Sequence, residues 1–201
     1  MKSFSPLRSS RAKVLAAAVA SLAAVAVVPT LASGAASGTP PPPGATVDVV
    51  KIKGGFSRHG TNLRFVPPTT VHTGDYLEID NTTNPHQVGP HTFSLIQSSF
   101  IPKTSHARKV CFTSGHICKA IAKGLGVHGN GPPTINPSEA GLAGWDTMGS
   151  LTTTGDTWYT GNKPNASFVQ QVSAPAGTTL TFMCAIHPFM HGKITVLAPG
   201  T

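Results

Sequence analysis

Near the C-terminus, the stretch Thr181-Phe182-Met183-Cys184-Ala185-Ile186-His187-Pro188-Phe189-Met190-His191-Gly192 sets a thiol, an imidazole and a thioether at Cys-x2-His-x2-Met spacing. A thiolate with two imidazoles makes a trigonal donor set that suits both oxidation states of copper, and a weak axial thioether tunes the potential. Cys184, His187 and Met190 supply three of those four donors. Two residues between successive donors let a tight turn aim all three side chains at one point, and Pro188 stiffens that turn before any metal arrives. A buried Cys and Met are by themselves ordinary core fillers. The third donor, the apolar run before Cys184 and the alternation of Lys193-Ile194-Thr195-Val196-Leu197 after it favour the metal reading. Zinc is less apt, because a structural zinc site takes four Cys or His donors. A covalent haem would need Cys-x-x-Cys-His, which is absent.

The second imidazole must come from upstream, and Asn84-Pro85-His86-Gln87-Val88-Gly89-Pro90-His91-Thr92-Phe93 offers two. Gly89-Pro90 breaks any strand directly after His86, and Pro90 cannot donate to a sheet ladder. His91 instead opens an uninterrupted alternating segment in which Phe93 and Leu95 share its face. A ligand carried on a strand is held more firmly than one on a loop. The expected ligands are therefore His91, Cys184, His187 and Met190 around one type 1 copper ion, with His86 as the alternative to His91. Met148 is an outside candidate.

These donors need a rigid scaffold, and the rest of the chain reads as short strands. Residues 47–53 and 76–80 alternate as half-buried strands do, residues 91–96 keep the same period, and residues 167–172 and 178–183 lead into the donor loop. The prolines in Phe65-Val66-Pro67-Pro68-Thr69-Thr70-Val71 mark an edge strand or its approach. Short strands separated by Gly and Pro turns predict an antiparallel sandwich.

At Cys184-x2-His187-Pro188-Phe189-Met190-x-Gly192-Lys193-Ile194-x-Val196 the chain resembles the copper loop of amicyanin, within the plastocyanin and azurin family of blue copper proteins. The strand-turn-Gly-Asp-strand-Asn-His order also resembles the front half of a cupredoxin. The resemblance implies an all-β, cupredoxin-like Greek-key β-sandwich. It also implies that His187 sits near the surface under an apolar patch that serves as the electron port. His86-Gln87-Val88 resembles the Pro-His-Asn-Val of that family, whereas Thr92 replaces the Asn that often follows the upstream ligand. The Thr92 backbone N–H can still donate to the Cys184 sulfur.

Residues 1–32 read as a secretory signal peptide. Lys2, Arg8, Arg11 and Lys13 precede an apolar run over residues 14–28, and Thr30-Leu31-Ala32 offers small residues for cleavage. That run is shorter than the ~20 residues a bilayer span needs, so no membrane segment is expected after cleavage. The chain carries a net charge of +8, and loss of the four signal-peptide cations would leave about +4. So mild an excess, without a nucleic-acid motif, does not argue for DNA or RNA. The proline run of residues 33–46 reads as an extended linker, which leaves 47–201 as one cupredoxin domain.

Residues 97–165 form an insertion that a minimal sandwich would lack, with a short helix expected over 117–125 and a Gly/Pro-rich tract over 124–137. An exported chain with three cysteines can oxidise two, so Cys111 and Cys118 are expected to bridge while Cys184 stays free. The insertion is also the most basic region, through Lys103, Arg108, Lys109, Lys119 and Lys123 with His106 and His116. That is a solvated face or a docking patch for an acidic redox partner.

The expected function is an exported, monomeric, non-enzymatic carrier of single electrons between redox partner proteins. Its expected location is periplasmic, cell-surface or extracellular. The alternatives are a copper-binding or copper-delivery protein, or an accessory copper subunit of an envelope oxidase or reductase. The scatter of His59, His72, His106, His116 and His128 argues against a multi-site copper store.

Overall fold

A computed structural model describes residues 37–127 and 144–200. The signal peptide expected over residues 1–32, the start of the linker, and most of the Gly/Pro-rich tract, with His128, lie outside the described residues. Two five-stranded sheets face each other. The first contains β1 (Ser37–Gly38), β2 (Val47–Lys53), β5 (Arg64–Val66), β7 (Tyr76–Asn81) and β10 (Ser167–Gln171), in the order β1-β10-β7-β2-β5. The second contains β6 (Thr70–His72), β8 (Thr92–Leu95), β9 (Thr157–Tyr159), β11 (Thr179–Met183) and β12 (His191–Leu197), in the order β6-β12-β11-β8-β9. A small ribbon, β3 (Phe56–Ser57) with β4 (Gly60–Thr61), stands apart. The result is a cupredoxin-like Greek-key sandwich. Among the described residues no helix is long and apolar enough to cross a membrane.

Period-2 alternation places the core. Val50 and Ile52 of β2, Leu77 and Ile79 of β7, and Ile194 and Val196 of β12 turn inward and are buried. Between the sheets Phe65, Phe93, Phe182, Trp145 and Phe168 pack ring against ring, mostly edge to face. Gly192 is required by this packing, because a Cβ there would lie 2.6 Å from the Phe182 ring.

Several local readings are refined. Residues 65–71 hold two edge strands rather than one. Pro67-Pro68 carries the chain from β5 on the first sheet to β6 on the second. Strand β8 begins at Thr92, so His91 stands just before it. Within the linker, β1 pairs in parallel with β10. The 97–165 stretch is built into the sandwich. It supplies β9 as an edge strand against β8, and it supplies Trp145, which donates its indole N–H to the Leu77 carbonyl.

The same stretch also carries α2 (Ser105–Lys109) and α3 (Ile117–Gly124). Cys111 and Cys118 are disulfide-bonded, and Cys184 is free. Around the bridge, Ile96, Ile117, Ile121 and Leu125 form a second buried cluster that includes Met183 and Ala185.

Candidate metal centre

Strands β11 and β12 pair as a hairpin whose last rung is Met183 with His191, so residues 184–190 form its loop. The Cys184 N–H donates to the Met190 carbonyl at 2.9 Å, closing the loop at its base. At its tip His187-Pro188-Phe189-Met190 is a turn, with the Met190 N–H donating to the His187 carbonyl at 2.8 Å. Pro188 occupies the position whose φ a proline presets. Cys184 and Met190 are both fully buried in the main core.

The upstream histidine arrives from the opposite direction. After β7, Asn84 caps the one-turn helix α1 (Pro85–Val88) by accepting the His86 N–H, Pro85 sits in the first turn, and Gly89 ends it at φ 77°. That turn leaves His86 exposed. His91 follows it and is fully buried, with its N–H donated to Thr160 Oγ1 at 2.9 Å.

Three donor atoms converge. Cys184 Sγ lies 3.9 Å from His91 Nδ1 and 3.7 Å from His187 Nδ1, and the two nitrogens are 3.2 Å apart. Among the described residues His91, Cys184 and His187 are the group arranged to hold a metal ion, and all three are buried. His86 is not in that group, and Met148 is a half-buried neighbour of the main core.

A point equidistant from the three donor atoms lies about 2.1 Å from each, which is the length of a metal–imidazole bond and about 0.2 Å short of a metal–thiolate bond. Two imidazole nitrogens and a sulfur facing one another at such distances suit a bound cation.

The electrostatics agree with that fit. Burial holds His91 down to about 4, with His187 adding to the effect, and burial also lowers His187 despite a ring hydrogen bond to the Val88 backbone. Both imidazoles are therefore neutral, as metal ligands must be. Burial pushes the Cys184 thiol up. Backbone N–H groups of Thr92 at 3.4 Å and His187 at 3.3 Å work against that rise by donating to its sulfur. The Thr92 hydroxyl accepts the Ala185 N–H at 2.8 Å, which pins the ligand loop to β8.

His187 comes closest to the surface, at 9 % exposure, beside the rings of Phe189 and the exposed Phe56. The small ribbon that supplies Phe56 was not anticipated from the sequence, because a two-residue strand leaves no periodic signal.

The strand order resembles that of the cupredoxins, and the His-Cys-His cluster with Met190 on its loop is a donor set that suits a type 1 copper centre. No family model matches the chain, and no curated protein does. Solved structures with weak similarity include a reduced auracyanin from Roseiflexus castenholzii, at 17% identity over 77% of this chain and 98% of that one, with a TM-score of 0.40. Auracyanin A, described as a "blue" copper protein from Chloroflexus aurantiacus, has 17% identity over 76% of this chain and 99% of that one, with a TM-score of 0.37. A multi-copper oxidase from Pediococcus acidilactici matches at 13% identity over 83% of this chain but 29% of its own, with a TM-score of 0.39.

Proposed function

We propose that this protein is an exported carrier of single electrons. His91, Cys184 and His187 would hold one type 1 copper ion, with Met190 as a fourth, weaker donor that would tune its potential. The observation that carries the reading is the buried triangle of Cys184 Sγ, His91 Nδ1 and His187 Nδ1. Copper held by such a set would supply a one-electron Cu(II)/Cu(I) couple. The chain supports this by fixing the donors beforehand: His91 through Thr160 and Thr83, Cys184 through two N–H donors, and His187 with Met190 through the closed turn.

Electrons enter and leave over His187, where Phe56, Pro188 and Phe189 offer an apolar contact for a partner. Between Asp80 and Glu139 the sequence holds no Asp or Glu. The cations of the insertion, Lys103, Arg108, Lys109, Lys119 and Lys123, therefore have no local counter-charge and suit an acidic redox partner, where complementary charge mainly raises the encounter rate. Residues 1–32 act as the export signal, and the Cys111–Cys118 bridge fits an oxidising compartment. The protein works as a monomer without catalytic turnover of a substrate.

An optical titration of the mature chain with Cu(II) tests the reading. An intense blue thiolate-to-copper band is expected at one equivalent, and Cys184→Ser should lack it while remaining folded. A colourless wild-type complex, or a Cys184→Ser variant that stays blue, would refute the assignment.

A further inference from the structure

The imidazole of His91 is held from behind by side chains that the donor set does not include. We propose that Thr83 and Asn81 are positioning residues that fix the tautomer and aim of His91 toward the copper. This rests on the reading that His91 binds that ion, and it names what determines which nitrogen does so.

His91 Nε2 lies 3.1 Å from Thr83 Oγ1, and Thr83 Oγ1 lies 2.7 Å from Asn81 Oδ1. The Thr83 backbone N–H also meets Asn81 Oδ1, at 3.1 Å. That last contact orients the relay. A backbone N–H can only donate, so the Asn81 atom facing it is the amide oxygen rather than the nitrogen. The same oxygen must then accept the Thr83 hydroxyl proton. Thr83 Oγ1 is left with lone pairs for His91, so Nε2 is the protonated nitrogen and Nδ1 keeps its lone pair. Nδ1 is the atom that faces Cys184 Sγ and His187 Nδ1.

Burial and cost point the same way. Asn81 and His91 are fully buried and Thr83 is 5 % exposed. Asn81 takes the third inward position of β7, after Leu77 and Ile79, where an apolar side chain would continue the pattern. Its Nδ2 has no hydrogen-bond partner among the described residues. Such an orphan is a net cost to folding, which a Leu at this position would avoid. The amide oxygen's two bonds, both to Thr83, are what the residue supplies in return. Asn81-Thr82-Thr83 also matches a glycosylation sequon, but a fully buried Asn81 has no room for a glycan. Every member of the relay is neutral, so it sets direction without placing a carboxylate behind the ligand.

Nitrogen NMR of the metal-free full chain reads the His91 tautomer directly. The expected result is a proton on Nε2 in slow exchange and a bare Nδ1; a protonated Nδ1 would overturn the proposal. In the copper-loaded protein, Thr83→Val removes the hydroxyl at nearly constant shape. It should lower Cu(II) affinity about 10- to 100-fold in chelator competition, the usual cost of losing an outer partner of a ligating histidine. Thr83→Ser should restore most of the affinity, a rescue that a purely structural methyl contact would not give. Unchanged affinity in Thr83→Val would sink the relay. Should that variant not fold, the wild-type tautomer decides alone. A wild-type chain that fails to turn blue removes the copper reading and this proposal together, whereas a blue protein with protonated Nδ1 when metal-free removes only the relay.

Discussion

Thr92 clips Cys184 to the sheet from two sides: its backbone N–H points at the Cys184 sulfur from 3.4 Å, and its hydroxyl takes the N–H of Ala185 at 2.8 Å. The first contact stabilises a thiolate where burial alone would disfavour it. The second holds the residue just after the ligand. Thr92→Val separates the two, because it keeps the backbone donor and loses the acceptor. The Ala185 N–H is then buried without a partner, at a cost of about 1–3 kcal/mol. Urea denaturation should show that loss, while the Cu(II) complex keeps its blue band. Coincident denaturation curves would mean that the hydroxyl contributes nothing to the loop.

His91 and His86 differ in setting as sharply as two nearby histidines can. One is buried beside the thiol, and the other is exposed on a single helical turn. His91→Ala should bleach the copper band. His86→Ala should leave it, with at most a small change in stability, since exposed positions contribute within about 0.5 kcal/mol. The measurement is a paired spectral titration, and the reverse outcome would move the upstream ligand to His86.

The sequence separates His91 from His86 on local grounds, and His91 is the one that lies beside Cys184 and His187. Gly89-Pro90 ends any regular structure around His86, and the alternation of His91, Phe93 and Leu95 is legible without tertiary information. The same holds for the second half of β2, where Val50 and Ile52 are buried and Lys51 and Lys53 exposed, and for the Cys111–Cys118 bridge, which follows from the cysteine count and the export expected from the sequence. What stayed hidden depends on contacts distant in sequence. Strand β9 is three residues long and gains its identity only by pairing with β8. Trp145 is recognisable as a packing residue but not as a member of the central aromatic stack. The role of Thr83 required knowing that β7 ends beside the start of β8, a neighbourhood that no local pattern encodes.

Asp156 offers a test of burial electrostatics away from the donors. Its carboxylate accepts the N–H groups of Asp146 at 2.8 Å and Thr147 at 2.7 Å, yet burial outweighs them and raises it to about 6, with the Asp146 charge adding to the rise. A carboxyl raised above its unfolded value near 3.8 favours the fold while protonated. That contribution is fully present below pH 4 and is lost as pH climbs through about 6. Asp156→Asn keeps an acceptor for both N–H groups and cannot ionise. Relative to wild type it should gain of the order of 2 kcal/mol above pH 6 and little below pH 4. Stability curves against pH that run parallel for the two proteins would show that the carboxylate ionises freely in place.

The disulfide matters to the donor loop through the alternation of β11. Cys184 faces the main core, while Met183 before it and Ala185 after it belong to the cluster built around Cys111 and Cys118. The bridge therefore backs the ligand as well as restraining its own segment. Non-reducing mass spectrometry of the metal-loaded chain should find one bridge, Cys111 to Cys118, with Cys184 free; a bridge to Cys184 would contradict the fold. Replacing both bridge cysteines by Ala should cost about 2–3 kcal/mol from the freed short loop. The cavity left beside Ile117 and Ile121 adds to that cost. Because Met183 and Ala185 lose their backing together, the Cu(II) signal in electron paramagnetic resonance should broaden as the Cys184 position spreads. A double variant with lower stability and an unchanged signal would make the cluster a staple for the insertion alone. One with both properties unchanged would show that the bridge supports neither.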